Sequence, residues 1–194
     1  YGKSPDGYGA WYEYMSKKEI PLKRWPKPFA QLIEAHVQDA TYLKILSQSD
    51  YLMSLEGISS TESNWISQGN TLVIIGKYEP ATAAPFNSSI PYRQEILSND
   101  QIKIATTRRF RQGKQEQSIL QDRYGAVVWQ EKIGKGKIIY CTTPYLAANA
   151  YQDNLDNYQF LADLVSDHQT IWVDEYIHGY KDKESKIPRV SPQP

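Results

Sequence analysis

Thr71-Leu72-Val73-Ile74-Ile75-Gly76 holds an unbroken apolar run, Leu72 to Ile75, closed by a glycine. A strand with one wet face alternates apolar and polar residues, whereas one without a polar position is covered on both faces. Such a strand lies inside a sheet with helices above and below, so this stretch reads as the central strand of a layered α/β fold. Its upstream flank agrees: Ser60-Thr61-Glu62 starts a short helix, and Gly69 sits where a left-handed C-cap belongs.

Further upstream, Ser4-Pro5-Asp6 supplies a serine N-cap, a proline at the first helical position and an acid in the first turn. A helix is therefore predicted from there to about Lys18, burying Tyr8, Trp11, Tyr12 and Met15 on one face. Leu22-Lys23-Arg24-Trp25 reads as a strand stopped by Pro26 and Pro28, Phe29 to about His36 as a second helix, and Thr41 to Leu46 as another strand. Downstream, Lys77 to Asp100 shows no sustained periodicity and is broken by Pro80, Pro85 and Pro91, which predicts a long loop of the kind that carries function.

Ile102 to Phe110, Ser118 to Gln121 and Ala126 to Glu131 follow as strands, and Gly134-Lys135-Gly136 turns the last of them into Lys137 to Thr142. Asp153 to Asp167 is helical, with Leu155, Tyr158, Leu161, Ala162 and Val165 on one side, and Ile171-Trp172-Val173 is a final strand. The expected fold is α/β: a flavodoxin-like layered, mainly parallel sheet flanked by helices, with an added antiparallel hairpin. One domain is expected over residues 1–180, with a polar linker or tail at 181–194.

Composition narrows the function classes. Lys+Arg 22 balances Asp+Glu 22, so no global field draws the chain to nucleic acid, and any anionic partner must be held by a local patch. Cys141 is the single cysteine, which excludes an internal disulfide framework and a multi-thiolate zinc site, and no cofactor motif is present. No run approaches the roughly 18 apolar residues of a membrane span. The chain opens at Tyr1 and closes on a proline-bearing polar run, and both ends read as cut or tethered.

Ser4-Pro5-Asp6-Gly7-Tyr8-Gly9-Ala10-Trp11-Tyr12, Trp65 through Gly76, Ile133-Gly134-Lys135-Gly136-Lys137, Asn149, Asp156-Asn157 and Asp174-Glu175-Tyr176-Ile177-His178-Gly179 occur in this order over nearly the whole chain. Together they resemble the domain of unknown function 4350 family, and the opening segment is similar to cyanobacterial members. The resemblance implies a domain after an N-terminal membrane helix, facing away from the cytoplasm as periplasmic or lumenal, with a fold similar to class I glutamine amidotransferases. It also implies a membrane-associated assembly with an AAA-type ATPase as partner, and no assigned activity. Many relatives carry a histidine where this chain has Ile177, which weakens a two-histidine metal site.

In layered sheets, ligands sit beyond the carboxyl ends of the strands. That rule gathers a candidate rim: Gly76, Lys77 and Glu79 after the central strand, Thr143 after the hairpin, and Asp174, Glu175 and His178 after the last strand. Asn149 and Asn157 flank the start of the last helix, where an amide caps the helix or meets a polar ligand. Asp174, Glu175 and His178 could bind a divalent cation or move a proton, although two consecutive strand residues point to opposite faces. The alternative has Asp174 capping or pairing with a basic neighbour and His178 hydrogen-bonded.

Cys141 lacks the Gly-flanked strand-to-helix elbow of a nucleophile and reads as a small buried hydrophobe. Arg108, Arg109, Arg111 and Lys114 form the dense basic run, suited to a phosphate, lipid headgroup or acidic partner, but read first as a solvated, charged hairpin edge. Gly134-Lys135-Gly136 lacks phosphate-loop spacing, and the aromatic stripe of Tyr8, Trp11 and Tyr12, with Trp25, reads as core before sugar platform. The expectation is a non-catalytic, extracytoplasmic ligand- or partner-binding domain. A metal-dependent or hydrolytic enzyme on Asp174, Glu175 and His178, and an assembly scaffold with an exposed apolar surface, stand as alternatives.

Overall fold

A computed structural model describes residues 3–47, 50–92, 100–168 and 170–179. The tail read at 181–194 lies outside the described residues. In chain order the elements are α1 (Gly9–Lys17), β1 (Leu22–Trp25), α2 (Phe29–Glu34), β2 (Ala40–Ile45), α3 (Tyr51–Leu55), α4 (Ser60–Ser67), β3 (Thr71–Ile75) and β4 (Asn87–Pro91). They continue with β5 (Gln101–Ala105), β6 (Glu116–Asp122), β7 (Gly125–Ile133), β8 (Gly136–Cys141), α5 (Leu155–Val165) and β9 (Thr170–Asp174). Short 3-10 turns stand at Asn149–Tyr151 and Tyr176–His178.

The main sheet runs β1-β9-β2-β3-β8-β7-β6, which puts β3 at its centre. From β1 to β8 every pairing is parallel, and β7 and β6 extend the sheet antiparallel. The apolar run of β3 feeds both sides. Val73 and Ile75 join Trp11, Met15, Leu161 and Val165 under α1 and α5, while Leu72 and Ile74 join Leu32, Trp65 and Ile66 under α2 and α4. A polar residue at any of these strand positions would be stranded between layers, which is why the run contains none.

The β7–β8 hairpin turns at Gly134, whose φ of 58° is left-handed. Gly136 is required for packing: a Cβ there would lie 2.1 Å from the Ile66 carbonyl oxygen and 2.2 Å from that of Asn70. Strand β8 therefore passes directly beneath the end of α4.

Several expectations are corrected. The first helix begins at Gly9, and Ser4-Pro5-Asp6 belongs to a preceding turn closed by Gly7 N–H donating to the Ser4 carbonyl. The loop after β3 contains a strand, β4, whose buried Ile90 pairs with Ile102 of β5 in a separate two-stranded sheet. The strand predicted from Ile102 to Phe110 ends at Ala105, because the Thr106 hydroxyl accepts from Arg108 N–H and the Arg109 guanidinium clasps the Thr106 carbonyl, turning the backbone. Helix α3 was not anticipated.

Candidate functional site

Parallel strands β2, β3 and β8 end side by side, and a cleft of about 360 Å³ opens where they end. Its floor is made by the first residues past each strand: Leu46 after β2, Gly76 after β3, and Thr142 and Thr143 after β8. Gly76 has φ of 97°, and a Cβ there would stand 2.6 Å from the Leu46 carbonyl oxygen, so only glycine lets the two chain segments close the floor. The amides of Gly76 and Lys77 both donate to the Cys141 carbonyl, at 2.9 and 2.8 Å, locking the β3 exit to the β8 exit.

The walls are aromatic and come from α3 and from loops. Tyr51 of α3 meets Tyr78 edge to face at 5.3 Å, Phe86 is contributed by the segment before β4, and Tyr145 by the segment after β8. Arg108 completes the wall. Its guanidinium carbon lies 4.5 Å from the Tyr78 ring centre, and Nη1 donates to the Glu79 carbonyl at 2.5 Å.

Of the predicted rim, Gly76 and Thr143 line this cleft. Lys77 turns away, donating from Nζ to the Glu56 carbonyl, and burial pulls its ammonium below the usual range. Glu79 reaches the cleft only through its carbonyl. Burial raises its carboxyl and the Lys77 charge opposes that rise.

Asp174 ends β9 and Glu175 and His178 follow it, on the far side of β2 from the cleft floor at β3 and β8, and none of the three lines the cleft. Asp174 is buried and caps the 3-10 turn, its Oδ1 accepting from the amides of Tyr176 and Ile177; burial raises its carboxyl. Glu175, also buried, pairs with Arg24 Nε at 3.5 Å, while His178 is exposed. Among the described residues no three His, Cys, Asp or Glu side chains gather in a metal-holding group.

The two asparagines hold the scaffold together. Asn149 Oδ1 accepts from Ala10 N–H in the first turn of α1, and its Nδ2 donates to the Ser4 carbonyl, so it caps α1 and not the last helix. Asn157, fully buried, accepts from Lys103 N–H and donates to the carbonyls of Lys103 and Leu146. It satisfies β5 much as a neighbouring strand would.

The basic run is corrected from a solvated edge. Arg109 is buried, forks onto Asp122 at 2.8 to 3.2 Å and donates to the carbonyls of Thr106 and Arg108. Arg111 and Lys114 are exposed, and Arg108 faces the cleft. The strand-end rule gives the floor; the aromatic walls lie beyond it because they enter from α3 and from loops, and Arg108, read in the basic run, joins the cleft from beyond the second sheet.

Cys141, at the end of β8, has no exposed surface; its thiol lies 3.5 Å from the Thr143 carbonyl, and burial pushes it up to about 12. A thiol in that state supplies no thiolate at neutral pH. A family model described as a domain of unknown function (DUF4350) matches residues 1–165. No curated protein matches the chain.

Proposed function

This chain belongs to the domain of unknown function (DUF4350) family, and from that premise, which carries no activity, we propose a non-catalytic domain that takes a ligand or partner group into the strand-end cleft. The observation that carries the reading is the cleft itself: a concave, aromatic-walled space at the carboxyl ends of β2, β3 and β8, with a thiol beneath it that is protonated and sealed. Parallel sheets collect ligands at this edge because the loops that follow the strands converge there around a rigid floor.

Among the described residues lining the cleft, Ser47 meets an acid, its Oγ donating to Asp50 Oδ2 at 2.7 Å, but the same Asp50 oxygen also accepts from the Ser47 amide, so the pair closes a local turn. The hydroxyls of Ser54 and Thr143 are held by backbone partners, Ser54 donating to the Tyr51 carbonyl and Thr143 accepting from Tyr145 N–H. No imidazole or carboxylate lines the space among the described residues. Recognition needs only shape and a few fixed polar groups, and these the cleft supplies.

The family resemblance, with an opening segment similar to cyanobacterial members, supports a finer reading: an extracytoplasmic domain of a membrane-anchored parent, on an amidotransferase-like scaffold without its nucleophile, working beside an AAA-type ATPase. No helix among the described residues is long and apolar enough to cross a membrane, so in this reading the anchor lies elsewhere in the parent.

The test is protein-observed NMR with a mixed library of small acids, amides and amines. Saturable shifts are expected to centre on Gly76, Thr143 and their neighbours, and to vanish in Ala105→Trp, which fills the cleft from its wall while the melting temperature stays within a few degrees. Hits that centre on Asp174 to His178 instead, or that survive Ala105→Trp, overturn the reading.

A further inference from the structure

Arg108 and Arg109 are consecutive, and their surroundings differ in one decisive respect. Arg109 has its charge answered by the Asp122 carboxylate. Arg108 has a carbonyl on Nη1 and an aromatic ring beneath it, and among the described residues no carboxylate pairs with it. It is half-buried and is the one charged side chain among the described residues lining the cleft.

The carbonyl it meets belongs to Glu79, whose carboxyl neither lines the cleft nor pairs with Arg108 among the described residues. A guanidinium partly withdrawn from water and left without a counter-charge is a costly arrangement for stability alone. It becomes favourable when an anion from solution completes the fork, because planar guanidinium N–H groups match the oxygens of a carboxylate or phosphate. The Tyr78 ring and the Glu79 carbonyl fix the orientation of the guanidinium in advance, so little rotamer freedom is lost on binding.

The rest of the wall sets the remainder of the ligand. Tyr51, Tyr78, Phe86 and Tyr145 present ring surface beside Arg108, and Phe86 is 59% exposed. An apolar or aromatic body lying on these rings, with its acid group on Arg108, satisfies both features at once.

Building on the cleft-binding reading above, we infer that the ligand is a small organic anion, a carboxylate or phosphate carried on an apolar or aromatic body, with Arg108 as the residue that selects for its charge.

Ligand-observed and protein-observed NMR on the full chain, at fixed ionic strength, with benzoate, phenyl phosphate and neutral benzamide as matched probes, tests this. At least one anion is expected to bind in the cleft no less than tenfold more tightly than benzamide. Which of the two binds separates a carboxylate ligand from a phosphate ligand. Arg108→Gln is expected to remove that preference while leaving benzamide unchanged, Arg108→Lys to retain part of it, and Arg111→Gln, which removes the same charge from an exposed site, to leave it intact. Benzamide binding the wild-type cleft as well as the anions do, a comparison that needs no variant, overturns the charge inference and leaves the cleft reading standing. If none of the three probes perturbs the cleft, the inference falls; the cleft reading falls separately, on the mixed library.

Discussion

Arg109 is a buried cation answered by the Asp122 carboxylate, the carbonyls of Thr106 and Arg108 and the Ser88 hydroxyl. Its fork onto Asp122 fastens the segment after β5 to the β6–β7 turn, and its remaining N–H groups close the carbonyls of Thr106 and Arg108. Removing the guanidinium strips the cation from Asp122, which keeps only its backbone donors, and takes the Arg109 donor from the Thr106 carbonyl, so Arg109→Met is expected to destabilise by about 3 kcal/mol, the lower end for breaking a buried ion pair because Asp122 is partly exposed. Urea denaturation checks this. The same pair sets an acid-side dependence: burial raises the Asp122 carboxyl, but the Arg109 hydrogen bond, the Tyr124 amide and the Arg109 charge outweigh it and hold the group below its ordinary value. A carboxyl depressed in the folded state stabilises fully above its unfolded pKa, about 3.9, and that contribution fades as pH falls through the lower folded value. Wild-type stability is therefore expected to drop more steeply below about pH 4 than that of Asp122→Asn; equal slopes would refute the account.

At the scale of elements, the strands were legible because their signal is local. Leu72 to Ile75 announces a strand covered twice, β2, β8 and β9 carry apolar or β-branched runs short enough to read directly, and β1 is bounded by Pro26 and Pro28. What stayed hidden depends on partners remote in sequence. Helix α1 begins at Gly9 because its cap is Asn149, separated from Ala10 by 139 positions, whereas Ser4-Pro5-Asp6 mimics a start that the chain does not use. The two-stranded β4–β5 sheet is likewise invisible locally: it is held by the start of α5, where Asp156 accepts from Gln101 N–H, Asn154 donates to the Gln101 carbonyl and Asn157 serves both backbone groups of Lys103. In the candidate site, Gly76 and Thr143 followed from where strands end, while Arg108 did not, since its position depends on where β5 stops. Asn157→Leu leaves the Lys103 N–H and carbonyl without their side-chain partner, at about 1 to 3 kcal/mol for a buried group left unpaired. Its amide-exchange signature should be regional: Gln101 to Ala105 lose protection while β2, β3 and β9 keep theirs. Uniform loss of protection across both sheets would show that the small sheet is not a separately docked unit.

The whole molecule combines a charge-balanced composition, pI about 7.0, with a collar of exposed apolar side chains on α3, the helix that gives the cleft Tyr51 and Ser54, and at Phe86. Leu52 is 73% exposed on α3, Met53 and Leu55 of the same helix are also exposed, and Phe86 stands on the cleft wall. With no net charge to keep copies apart, such a collar favours association near neutral pH. Both terms can be varied separately. Raising the pH to 9 gives the molecule a net negative charge without altering the collar, and Leu52→Gln with Phe86→Gln removes apolar surface without altering charge. The second virial coefficient from static light scattering is expected to be lowest near pH 7 for the wild type, and to rise with either change. Since both side chains are largely in water, the double variant should keep its stability within about 0.5 kcal/mol. A loss well beyond that would mean that these residues are core to a closed cleft, and unchanged scattering would mean that the collar is too dispersed to act as one surface. If the collar behaves as expected, these exposed side chains act as a self-association surface, which is what the scaffold reading would assign to a docking neighbour.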